Sequence, residues 1–324
     1  MTILDFERPI FELESKIKEL KEFGSDKNIT LEPEIKKLQT KLEKMKSEIY
    51  TNLSAWQRVQ IARHPDRPFT LDYIRLMMTD FVELHGDRQF ADDLALITGL
   101  AKLDNQRVVV MGHQKGRDTK ENVRHNFGCA HPEGYRKAMR VMRFAEKFHL
   151  PVIIFIDTPG AYPGVGAEER GQAQAIAENL CEMSQLAVPI IATVIGEGGS
   201  GGALGIGIAD RICILQHAYY SVISPEGCAS ILWRSSLKAP EAAEALKITS
   251  EHLKEFGIAD DIIAEPQGGA HRDPEIVIAT LKKSLLKHLK SLSELSSKEL
   301  LEQRYQKYRS IGAFSEPSPS SPSA

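Results

Sequence analysis

Apolar residues set the rhythm of this chain in two ways, as stripes at helical spacing and as short continuous runs. Phe6, Ile10, Leu13, Ile17 and Leu20 alternate steps of four and three, and after a break at Gly24 to Asn28 the rhythm returns in Leu31, Ile35, Leu38, Leu42, Met45 and Ile49. A narrow seam of this kind, with Lys and Glu on the other faces, predicts a helical hairpin over residues 1–52. The seam is compatible with an assembly arm and equally with a cap on the chain's own domain. A further helix is expected from Leu71 to Leu84. Leu94 to Leu103 and Arg107 to Gln114 are apolar, β-branched runs joined by Asp104-Asn105-Gln106, residues that tolerate a hairpin turn.

Val152 to Ile156 and Pro189 to Ile195 are continuous instead of alternating, as in parallel strands covered on both faces. Helical stretches from Pro132 to His149 and from Ala167 to Met183 surround them. Arg211 to Leu215 and Tyr219 to Ser224 repeat the plan. A helix and short strand between Thr249 and Pro266, and a helix from Ile276 to Leu289, complete it. This succession is an α/β fold, whose ligands bind at loops on the carboxyl ends of strands. Residues 53–290 are expected to form the main domain and 291–314 a C-terminal helix. Residues 315–324, rich in Ser and Pro, cannot build a core.

Chemistry is expected at Gly196-Glu197-Gly198-Gly199-Ser200-Gly201-Gly202, which reads as a tight loop between a strand and a helix start. Glycine lets backbone approach a ligand, and the first amides of a helix lack internal acceptors, so the amides of this stretch can hold a developing oxyanion. Thr158 to Gly166 would lie beside it, making a cleft with Gly160, Ala161, Tyr162, Pro163, Gly164, Gly198 and Gly199 as substrate-binding positions. Two other features compete. Gly198 to Gly202 satisfies G-x-S-x-G, and Ser200 with Asp260 or Asp261 and then His271 follows the hydrolase order, although so many glycines yield the pattern easily. The loop Gly112 to Lys120, with Arg124 and His125, gathers cations after a strand, which makes Lys115 and Arg117 candidates for holding a phosphate or carboxylate. It lacks the ending of a nucleotide-hydrolysing loop. His64 and His85 sit beside turn residues, where capping or packing is the simpler role.

Composition narrows the classes. The 324 residues are 42% hydrophobic and 26% charged with a formal net charge of -3, which suits a globular chain and argues against nucleic-acid binding. Cys129, Cys181, Cys213 and Cys228 are far apart and form no CxxC pair, so neither a zinc ribbon nor a disulfide framework is expected on this chain. No apolar run is long enough for a bilayer and no secretory signal is evident, so a cytoplasmic location is expected.

Asp157 to Gln172, Gly196 to Leu204 and Ser221-Val222-Ile223-Ser224-Pro225-Glu226-Gly227-Cys228-Ala229 closely resemble the alpha subunits of the bacterial acetyl-CoA carboxylase carboxyltransferase, and the resemblance runs from Leu4 through Tyr305. It implies a crotonase-like fold of repeated ββα units. It also implies transfer of a carboxyl group from carboxybiotin on a biotin carrier protein to acetyl-CoA, giving malonyl-CoA for fatty-acid synthesis. The Gly201 and Gly202 amides would hold the ureido oxyanion, and the freed biotin nitrogen would take the methyl proton. A beta subunit carrying the zinc ribbon would hold the enolate in an alpha2 beta2 complex, completed by the carrier and biotin carboxylase.

Overall fold

A computed structural model describes residues 2–27 and 31–312. The helical stripes become α1 (Arg8–Lys27), which continues through Gly24, and α2 (Glu32–Thr51). They close on each other through Ile10, Ile17 and Leu42, with Leu13, Ile35, Leu38 and Met45 around them. The base of the hairpin is tied to the rest of the chain. Glu7 accepts from Tyr50 (2.6 Å) and pairs with Arg272 (3.4 Å), while His64 bonds the Thr2 carbonyl. The Ser/Pro tail lies outside the described residues.

A reciprocal cap between Ser54 and Gln57 starts α3 (Ala55–Ala62). The helix expected from Leu71 to Leu84 is only half helix. α4 (Thr70–Met77) ends at an extended Met78, and β1 (Thr79–Glu83) follows as an edge strand antiparallel to β2 (Leu96–Leu103). Tertiary pairing overrides the apolar spacing here: the Phe81 ring and Val82 carbonyl lie against the bare α-carbon of Gly99. Asp104, at φ 51, turns β2 into β3 (Gln106–His113).

The chain then builds the parallel part of an eight-stranded sheet. α5 (Thr119–Arg124) and α6 (Pro132–Lys147) lead to β4 (Val152–Thr158), every residue of which is buried. The single helix expected over Ala167 to Met183 is two, α7 (Val165–Glu169) and α8 (Gln172–Gln185), because Gly171 between them takes φ 83. β5 (Ile190–Gly199) runs four residues past the expected end at Ile195, so the first half of the glycine stretch is strand. After α9 (Ser200–Leu204) come β6 (Arg211–Leu215), β7 (Tyr219–Ser221), α10 (Pro225–Trp233), α11 (Ala239–Leu246), α12 (Ser250–Glu255), β8 (Asp261–Ile263), α13 (Pro274–Ser293) and α14 (Ser297–Arg309). The strand order is β1-β2-β3-β4-β5-β6-β8, with β7 pairing on the glycine end of β5.

One buried cation anchors the C-terminal helix. The Arg304 guanidinium donates to both Asp210 oxygens (2.8 and 2.9 Å) and to the carbonyls of Met183, Leu186 and Val188, closing the turn between α8 and β5. Arg304→Met strands Asp210, itself 2% exposed, and is expected to cost about 3 kcal/mol in urea unfolding. An unchanged midpoint would show that the helix contributes little to the core.

Candidate active site

Adjacent parallel strands β4 and β5 deliver the two glycine-bearing segments to one edge, where backbone meets backbone. A Cβ on Gly199 would lie 2.2 Å from the Pro159 carbonyl oxygen, and one on Gly202 would lie 2.3 Å from the Gly160 carbonyl carbon and 2.4 Å from the Ala161 nitrogen. No side chain fits at either position. The predicted cleft residues are therefore together: Gly198, Gly199 and Gly202 are buried, Gly160, Ala161, Tyr162, Gly164 and Gly201 are half-buried, and Pro163 is exposed.

The segments are held from beneath. Thr158 Oγ1 donates to the Gly160 carbonyl at 2.7 Å and accepts from its amide at 3.1 Å. The Tyr162 ring stacks on His131 at 4.0 Å between centroids, and Gln172 donates to the Tyr162 and Ala130 carbonyls. Under α9, the buried Tyr135 hydroxyl donates to the Gly202 carbonyl (3.2 Å), and Asn179 ties the carbonyls of Tyr135 and Gly205 (3.0 and 2.8 Å). Ser200, at φ 51, turns strand directly into helix, so the first amides of α9 emerge at the strand end without intrahelical acceptors.

Behind this ridge lies a charge network centred on Glu197, which sequence reasoning passed over as one residue of a loop. Its carboxylate accepts from Lys115 Nζ (2.8 Å), Arg63 Nε (2.7 Å) and the Tyr219 hydroxyl (2.7 Å). Lys115 also donates to Asp157 (2.7 Å), which accepts the Glu197 amide (2.9 Å), and Arg63 pairs with Glu226. Burial alone would raise the Glu197 pKa, but Lys115 and then Arg63 outweigh it and hold it down at about 2. A lone carboxylate inside a strand otherwise free of charge was the available signal. Its partners come from three distant segments, which spacing does not reveal.

Both cations expected to hold an anion are engaged by the protein. Lys115 lies at the site with two carboxylates on its ammonium group. Arg117 lies on the turn before α4, where it pairs with Asp72, donates to the Pro65 and Arg67 carbonyls (3.0 and 2.6 Å) and covers the Phe69 ring. The hydrolase arrangement does not form. Asp260 accepts the Ile212 amide and pairs with Lys307, Asp261 accepts from Ser284, and His271 stacks on His64 at 3.8 Å, with burial holding its pKa at about 3. Ser200 has no base. It borders instead an apolar groove of about 350 Å³ lined by Leu204, Ile208, Tyr220, Leu253 and Tyr308, while Arg63, Lys115, Asp157, Pro159 and Glu197 line a second cavity of about 290 Å³. Ser200→Ala is expected to leave turnover essentially unchanged in a steady-state assay, whereas abolished turnover would restore a nucleophilic role.

The mixed sheet, with parallel strands ending in interlocked glycine segments, is a fold this chain shares with solved carboxylase and transcarboxylase structures. The fold aligns with the transcarboxylase 12S core at TM-score 0.57 and 18% identity, covering 81% of this chain and 47% of that one. It aligns with a chain of a Pseudomonas malonate decarboxylase hetero-tetramer at 0.54 and 16%, covering 68% and 89%. The family model described as acetyl co-enzyme A carboxylase carboxyltransferase-like matches residues 3–312, and this chain belongs to that family. Relatives named acetyl-coenzyme A carboxylase carboxyl transferase subunit alpha are 58% identical in Geobacter metallireducens, over 97% of this chain and 98% of that protein, and 56% identical in Thermus thermophilus, over 97% and 99%.

Proposed function

We propose that this chain supplies the carboxybiotin half of a split carboxyltransferase, in which a carboxyl group passes from carboxybiotin on a carrier protein to acetyl-CoA to give malonyl-CoA. The observation that carries the reading is the contact of Gly202 with the Gly160–Ala161 peptide, which fixes the first amides of α9 at the edge of the cleft. Bound carboxybiotin supplies the carboxyl group. The Gly201 and Gly202 amides would hold the ureido oxygen of that cofactor, an oxyanion hole built from backbone. Gly160 to Gly164 shape the facing wall, with Gly198 and Gly199 forming the floor. Lys115 ties β4 to β5 beneath the donors through Asp157 and Glu197.

The naming of the relatives as alpha subunits supports a second chain for the acyl-CoA half. The exposed apolar stretch Val222, Ile231, Leu232, Trp233 and Leu237, four of whose five residues are more than 60% exposed, offers the beta subunit a docking face. That subunit carries the zinc, and two copies of each chain assemble with the biotin carrier and biotin carboxylase, in the cytoplasm. Malonyl-CoA formation from carboxybiotin carrier and acetyl-CoA, measured with and without the beta subunit, is expected only with both chains. Turnover by this chain alone, or none with both, overturns the reading.

A further inference from the structure

Away from the glycine edge, β6, β8 and α13 bring three side chains together from positions far apart in sequence. The ligating atoms of Cys213, Asp261 and His288 all lie within 4.8 Å of one another. Cys213 is fully buried, and His288 and Asp261 are 12% and 34% exposed, so the trio opens toward solvent on one side. Two observations point beyond ordinary packing. His288 Nε2 stands 3.4 Å from Asp261 Oδ2, close enough for both to reach one ion. That same carboxylate oxygen is held by the Ser284 hydroxyl at 2.7 Å, an outer contact of the kind that orients a metal-binding carboxylate.

We propose that Cys213, Asp261 and His288 form a site for a divalent zinc-type cation, with solvent as the fourth ligand. Thiolate, imidazole and carboxylate are the donor types zinc prefers. The His288–Asp261 separation already matches the edge of a coordination tetrahedron, and drawing in the sulfur takes side-chain movement of about 1 Å at bond lengths of about 2.0–2.3 Å. On binding, the Cys213 thiol proton passes to solvent. The thiolate and the Asp261 carboxylate then balance the two charges of the ion, leaving Asp260 paired with Lys307 and Arg211 bonded to the Asp210 carbonyl. Cysteine spacing gave no sign of this set, because its three members are joined only by the sheet. The site is independent of the carboxyl-transfer reading.

The test uses the full chain, stripped with chelator and titrated with Co²⁺ and then Zn²⁺. One equivalent of Co²⁺ is expected to give a thiolate-to-metal absorption band that one equivalent of Zn²⁺ abolishes. Cys213→Ser is expected to lose the band, and His288→Ala to weaken Zn²⁺ binding tenfold or more and to lose the rise in melting temperature that Zn²⁺ gives the native chain. Either variant suffices if the other fails to fold. No band in the native chain overturns the proposal. So does a band that survives Cys213→Ser, because Cys129, Cys181 or Cys228 would then be its source.

Discussion

Gly202→Val is expected to lower carboxyl transfer by about a hundredfold or more, the usual effect of losing an oxyanion donor. Its Cβ would stand 2.3 Å from the Gly160 carbonyl carbon, and backbone on both sides leaves nothing flexible to yield. The segments must separate, which moves the amide donors off their target. Gly201 is the internal control. A Cβ there meets only Ile176 Cδ1 at 3.7 Å, an ordinary contact, so Gly201→Ala is expected to keep turnover close to native. Steady-state kinetics with the beta subunit decides the matter. Equal losses in the two variants, or none in Gly202→Val, would remove the interlocked ridge from the mechanism.

The second large effect is on stability. Lys115→Met leaves Asp157 and Glu197, 4% and 8% exposed, without the ammonium group they share, and a loss of about 3–5 kcal/mol is expected. Its pH dependence is characteristic. Glu197 is held at about 2 in the folded chain, below its ordinary value near 4.5, so its contribution is fully present above pH ~4.5 and fades as pH falls toward 2. Lys115 is the largest cause of that depression. The variant therefore loses less on acidification, and the gap between native and variant urea midpoints is expected to narrow between pH 5 and about 3. A gap that stays constant over that range would mean that lost packing, and not the ion pairs, accounts for the difference.

The sheet's centre was readable because β4 and β5 are buried on both faces and hence continuous in apolar residues. The hairpin was readable because its seam repeats over many turns. What failed was local spacing where tertiary pairing or one dihedral decides: β1 carries an apolar pattern that also suits a helix, and Gly171 breaks α7 from α8 with a positive φ that its identity permits without requiring. At the site, glycines were legible because close backbone approach leaves a compositional trace. The charges were not. Sequence displays Lys115 and Arg117 as cations without their partners, because Glu197, Asp157 and Asp72 come from elsewhere in the chain.

The apolar stretch from Val222 to Leu237 has a consequence for the cell's supply of this chain. An isolated copy presents Leu237 and Ile231 to water, 87% and 72% exposed, a surface on which copies adhere to each other or to chaperones. If the beta subunit covers this face as proposed, any surplus of this chain keeps it uncovered, and matched synthesis of the two chains is expected to limit aggregation.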